Sequence, residues 1–151
     1  MAKTRRPKVF TIGYATHTPA SLLEKLRAAG VEVLIDVREL PLSRRPGFSK
    51  GPLANAATAA GVEYRHFKSL GVPSALRNRR KAGELDGPAY MEAYRKMLKR
   101  QPEVLNDALE VVKARPCCLL CLEAEPAECH RSIVAEELGR VSPAGITVEH
   151  L

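Results

Sequence analysis

A chain of 151 residues, 45% hydrophobic but only 5% aromatic and without Trp, can bury one domain-sized core of Leu, Val, Ala and Ile. No apolar run approaches the roughly 20 residues of a membrane helix, and VFTIGYATHT behind the basic start MAKTRRPK is too short and polar for a secretory core, so the expectation is a cytoplasmic protein without membrane contact. The net charge of +7 is split unevenly, 16 Lys+Arg against 5 Asp+Glu in residues 1–81 and 8 against 12 in residues 82–151, which points to an anionic partner, nucleotide or nucleic acid first.

Behind a basic tail (1–8), VFTIGY (9–14) reads as a strand ending in Gly. Thr18-Pro19 opens a helix, Thr18 as cap and Pro19 at its first position. Leu22, Leu23 and Leu26 form its apolar stripe, and Gly30 ends it. VEVLIDVR (31–38) is a second strand, and strand, helix and strand within about 30 residues make a βαβ unit with parallel strands and a right-handed crossover. Residues 39–52, with three prolines, two glycines and three basic residues, read as a loop. A short helix over 53–60 stops at Gly61, and VEYRHF (62–67) is a third strand. Residues 68–88 show no clean period and read as a mobile basic excursion. Helices over 90–100 and 102–115 follow, then a buried central strand PCCLLCLE (116–123), a helix over 127–140 and a last strand ITVEHL (146–151). The expected fold is a single α/β domain over 9–151, a mainly parallel central sheet flanked by helices.

In such sheets ligands bind beyond the carboxyl ends of the strands. That rule selects Gly13 and Tyr14 after the first strand, Asp36 and Arg38 after the second, and Glu123 after the fourth. Cys129, His130 and Arg131 stand in the first turn of the next helix, where backbone donors and the helix dipole favour an anion. Asp36 and Arg38, two apart, share one face and close an otherwise apolar strand, which argues for a site over a surface ion pair. Arg44, Arg45 and Lys50, with RNRRK (77–81), are loop cations suited to gripping phosphates. His17 and His66 have no evident partner and read as ordinary surface residues.

CLLCLEAEPAECHRS (118–132) raises a metal reading, since Cys118-x-x-Cys121 with Cys129 and His130 makes four zinc-type ligands. Leu119 and Leu120 are strand formers, however, and residues three apart in a strand point to opposite faces, so no metal is expected. Clustered in one short window rather than spread along the chain, the four cysteines read as reduced thiols. Ile133, Val134 and Leu138 mark the buried stripe of the helix, bringing Cys129 and His130 toward the sheet and sending Arg131 to one flank. His130 is then the candidate for proton transfer, Glu123 its orienting group and Arg131 the holder of a negative group. Cys129 is either a thiolate nucleophile activated by the helix start or a small packed hydrophobe. No Walker lysine-serine pattern and no G-x-G-x-x-G follows a strand, so no organic cofactor is expected.

TIGY (11–14), LIDVR with Pro41, LG (70–71) and CLLCLE…CHRS with the ending V-x-H-hydrophobic together resemble domain-of-unknown-function family 488 (DUF488), the YeaO-like proteins, from about Val9 to Leu151. The resemblance implies an α/β fold and a site built from Asp36, Arg38, Glu123, Cys129, His130 and Arg131, and it supplies no reaction. Ala15 stands where the family usually has a small hydroxyl residue, and Val72 where it tends to continue with Gly. Three functions follow as expectations. The first is an enzyme or phosphate-recognising domain acting on a nucleotide or nucleic-acid-like anion. The second is a rhodanese-like sulfurtransferase with a Cys nucleophile, since LIDVRE resembles a strand end of that fold. EAEPAECH lengthens the segment from Cys121 to Arg131 beyond the short loop such a site needs. The third is a non-catalytic nucleic-acid-binding module.

Overall fold

A computed structural model describes residues 6–122 and 130–151. Five strands, β1 (Lys8–Gly13), β2 (Val33–Asp36), β3 (Glu63–His66), β4 (Cys117–Cys121) and β5 (Thr147–His150), form one sheet in the order β3-β2-β4-β1-β5. All four pairings are parallel, with Val9 and Val33 flanking Cys117 at one level of the central strand. β1 and β2 are parallel as expected but are not neighbours, because β4 lies between them.

The helices are α1 (Pro19–Ala28), α2 (Lys50–Ala59), α3 (Ser74–Lys81), α4 (Gly87–Lys99), α5 (Pro102–Ala114) and α6 (His130–Val141), with a 3-10 turn at Lys68–Leu70. Period-two alternation sorts the strand residues onto two cores. Val9, Val33, Ile35, Val37, Cys117, Leu119 and Cys121 face α4, α5 and α6. Phe10, Ile12, Leu34, Cys118 and Leu120 face α1 and α2. Cys118 and Cys121 therefore point to opposite faces of β4, as their spacing requires. β4 is buried at every position, which its central place and two covered faces demand.

Local chemistry accounts for the element ends. Thr18 and Ser21 form a reciprocal capping box on α1, and Gly30 adopts φ 77° just beyond it. β2 (Val33–Asp36) is shorter than the run 31–38, and the chain beyond it passes the residue that follows the 3-10 turn. There Gly71 packs so closely that a Cβ would lie 2.1 Å from the Glu39 nitrogen. The stretch 68–88 is not an irregular excursion. It contains the 3-10 turn and α3, and Glu39 ties α3 to the sheet by accepting from the Ser74 hydroxyl (2.5 Å), the Ser74 amide (3.1 Å) and Arg77 (2.9 Å).

The topology creates a switch point beside β4. α1 follows β1 over one face and α6 follows β4 over the other, and β1 and β4 are adjacent. Their carboxyl ends are where the connections diverge, the place at which open parallel sheets leave room for a ligand.

Candidate functional site

Three groups converge on this carboxyl edge. The first lies on the α1/α2 face around Asp36, which is fully buried. Arg38 donates to it in a two-pronged contact, Nε to Oδ1 at 2.8 Å and Nη2 to Oδ2 at 2.7 Å, while the Arg38 amide adds a third bond at 3.1 Å. Tyr64 on β3 donates its hydroxyl to Oδ2 at 2.5 Å. The remaining Arg38 nitrogen, Nη1, donates to the Phe48 carbonyl (2.8 Å) and the Tyr14 hydroxyl (3.3 Å), and the guanidinium lies over the Tyr14 ring, itself stacked on Phe48 at 4.6 Å. Burial opposes charge on Arg38, but its bonds to Asp36 and the carboxylate's field outweigh that and hold its pKa above the ordinary value. Burial first, then Asp36, pushes the Tyr64 phenol up as well. A buried carboxylate with this many donors orders its neighbours. Asp36 and Arg38 are thus a rigid floor, and the sequence expectation that they share a face holds.

The second group lies on the opposite face. His130 on α6 meets the edge of the Tyr94 ring, and its Nε2 is 2.8 Å from the Val37 carbonyl. A carbonyl can only accept, so Nε2 carries the hydrogen and Nδ1 holds the lone pair of the neutral ring. Burial pushes the His130 pKa down to about 4; the Arg131 charge acts in the same direction, while the Val37 bond and the Asp36 charge partly counter it. Asp36 and His130 therefore meet at the end of β2 from the two faces of the sheet and sense each other electrostatically. Arg131, expected on a flank, is instead completely buried, with Nη1 donating to the Cys121 sulfur at 3.3 Å.

Third are the loops. Arg45 donates to the carbonyls of Tyr14, Ala15 and His17 and lies over Phe48. It clamps the segment after β1 to the β2–α2 loop, a different task from the free phosphate grip its loop position suggested. Arg44 and Lys50 are exposed beside it. Gly13 ends β1, and the pairing with β4 continues past it as Tyr14 and Ala15 donate to the Cys121 and Leu122 carbonyls. The two histidines read as unpartnered have partners. His66 holds the Arg38 carbonyl through Nε2 at 2.6 Å, and His17 meets the Ser21 hydroxyl at 3.0 Å.

The cysteines divide into two kinds. Cys117 and Cys118 are free thiols, and burial pushes Cys117 up to about 12 and Cys118 well above its ordinary value. Cys121 is disulfide-bonded, which corrects the expectation that all four are reduced; its partner lies outside the described residues. Glu123 and Cys129, the expected orienting acid and candidate nucleophile, also lie outside them. Among the described residues no group of three or more His, Cys, Asp or Glu side chains could hold a metal ion, and no helix is long and apolar enough to cross a membrane. A cavity of about 760 Å³ opens at the other, amino-terminal edge of the sheet, lined by Arg6, Phe10, Lys113 and Arg115 among others.

Tyr64, Phe48 and His66 escaped sequence reading. Parallel pairing of β2 with β3 sets Leu34 beside Tyr64, so period-two alternation would have aimed Tyr64 and Asp36 at one face. Nothing local marks the Phe48 carbonyl as an arginine acceptor.

A family model described as a domain of unknown function, DUF488, matches residues 18–138. No curated protein and no solved structure matches the chain.

Proposed function

The chain belongs to the DUF488 family, and from that premise we propose that it binds a phosphate-bearing or nucleic-acid-like anion at the carboxyl edge of its sheet, with His130 as proton acceptor. The observation that carries this reading is His130 itself. It is a neutral imidazole at the switch-point edge, oriented by the Val37 carbonyl and carrying its lone pair on Nδ1. Such a ring is ready to take a proton at neutral pH without first losing one. Asp36 and Arg38 act by positioning: their mutual bonds, with Tyr64, stiffen the β2 end from which the Val37 carbonyl holds the ring. Arg44, exposed on the β2–α2 loop, and Lys50, exposed at the first position of α2, supply positive charge for the ligand.

The sulfurtransferase alternative has less support. It needs a thiolate, whereas among the described residues Cys117 and Cys118 are held as neutral thiols and Cys121 is in a disulfide.

Amide-resolved NMR titration with inorganic phosphate, a mononucleotide and a short single-stranded oligonucleotide tests the proposal. The expected result is shifts concentrated at Tyr14–His17 and His130–Ile133 that weaken with added salt, and loss of the His130 response in His130→Gln. Shifts confined to the amino-terminal edge, or none at millimolar ligand, would refute it.

A further inference from the structure

We propose that the cavity at the amino-terminal edge of the sheet is a further ligand site, taking an organic anion built from an apolar body and one carboxylate. This inference does not rest on the reading of the carboxyl edge, which lies at the opposite end of the strands. Two observations carry it: the sign of the charge around the cavity, and a nearly buried hydroxyl in its wall with nothing to bond.

The cavity holds about 760 Å³, within the usual range for small-molecule sites. It opens where β1 and β5 begin and where α1, α5 and α6 end. Phe10, Val112, Pro116 and Pro143 give it apolar walls. Arg6, Lys8, Lys113 and Arg115 are its charged lining, and among the described residues no Asp or Glu shares it. Three of these cations meet carboxylates that stand outside the lining: Lys8 pairs with Glu149 (3.2 Å), Lys113 with Glu110 (3.5 Å), and Arg115 with Glu32 (3.5 Å) and Glu63 (3.3 Å). All are surface pairs, worth little and able to re-form around a ligand. Arg6 differs, having no ion pair among the described residues. Its Nε donates to the Ala144 carbonyl at 3.2 Å, which fixes the side chain at the rim and leaves both terminal nitrogens to bond elsewhere. A carboxylate accepts two such bonds side by side.

Ser142, just past α6, lines the same cavity at 6% exposure. Its amide bonds the Leu138 carbonyl, but its hydroxyl has no hydrogen-bond partner among the described residues. A hydroxyl taken out of water without a partner is costly, and a ligand carboxylate supplies the missing acceptor. Arg6 holds Ala144, two residues on in the same turn, so cation and hydroxyl stand at one end of the cavity. The carboxyl ends of three helices bring partial negative charge to this edge, about half a unit each and felt only in the last turn. Amides beyond each helix already bond the Leu26, Val111 and Leu138 carbonyls, so the full charges on the side chains decide the sign. An inorganic anion would leave the apolar walls against water. An apolar body covers them while its carboxylate meets Arg6 and Ser142.

The experiment is an amide-resolved NMR titration of the full chain with 2-naphthoate, set against acetate, the headgroup alone, and 2-naphthamide, the body without its charge. 2-Naphthoate is expected to give saturable shifts at Gly30, Val112–Arg115, Ser142, Ala144 and Thr147, all on the cavity wall. Acetate is expected to give none at the same concentration, and 2-naphthamide to bind at least about tenfold more weakly. Arg6 is exposed, so Arg6→Gln should keep the fold, and it is expected to weaken 2-naphthoate at least about tenfold. Ser142→Ala is expected to weaken it about threefold or more. The absence of saturable shifts at this edge with millimolar 2-naphthoate would overturn the inference. So would equal affinity for 2-naphthamide, or an affinity unchanged in Ser142→Ala. An unchanged affinity in Arg6→Gln would overturn it as well, and decides the matter even where Ser142→Ala does not fold.

Discussion

Asp36 is the residue on which the edge of the sheet turns. A carboxylate at 0% exposure is tolerated only because Arg38 and Tyr64 give it two guanidinium bonds, a backbone amide and a phenol. Removing one side of such a pair strands the other charge, so Arg38→Met is expected to cost about 3–5 kcal/mol in urea unfolding. Adding Asp36→Leu in the same molecule should recover part of that loss, because no lone charge remains buried. If the double variant were as unstable as the sum of the singles, the pair would not be coupled as its geometry requires. Tyr64→Phe removes one bond to a charged acceptor and should cost about 1.5–3 kcal/mol by the same measurement. The thiols make a second test at this scale. Burial holds Cys117 and Cys118 protonated, so iodoacetamide should leave both unmodified in the native protein at pH 8 and modify both in denaturant. Fast native labelling of either would mean that β4 opens far more readily than a strand buried at every position should.

Between elements, the junction of β2 with the 3-10 turn sets the height of the edge. Gly71 is needed there for close approach and not for an unusual dihedral angle: an added Cβ would meet Glu39 backbone atoms at 2.1 and 2.5 Å. Gly71→Ala must push the two segments apart, and a cost of about 2–3 kcal/mol is expected. Amide shifts should reach Glu39, Ser74 and Arg77, since Glu39 carries the tether to α3; a change confined to residue 71 would contradict the coupling. The same junction explains what the sequence concealed. α1 was legible because Thr18, Pro19 and the Leu22/Leu23/Leu26 stripe announce cap, start and buried face together. α3 buries no residue, so SALRNRRK carries no apolar period, and the bonds from Glu39 that anchor it come from 35 or more positions away. Val72 fills core space beside this junction.

For the molecule as a whole, the layered parallel fold was readable because strand and helix periods alternate along the chain, and the edge rule selected Tyr14, Asp36, Arg38, His130 and Arg131 without any structure. Which face each residue takes was not readable. Asp36 and His130 come to one edge from opposite sides of the sheet, and Arg131 turns inward to a sulfur, because α6 packs on the face opposite α1. That packing has a consequence for global stability. The folded His130 ring takes a proton only near pH 4, whereas in the unfolded chain it does so near its ordinary value of 6.5. Between those values the unfolded state binds more protons, so stability is fully present above about pH 6.5 and falls as the pH is lowered toward 4. The shift corresponds to a loss on the order of 2–3 kcal/mol across that window. His130→Gln, which keeps a donor for the Val37 carbonyl but cannot titrate, should flatten the pH dependence of the urea midpoint between 6.5 and 4. A wild-type midpoint that rose on acidification through this range would mean the folded imidazole gains its proton more readily than the unfolded one. The neutral ring on which the proposed proton acceptor depends would then be absent.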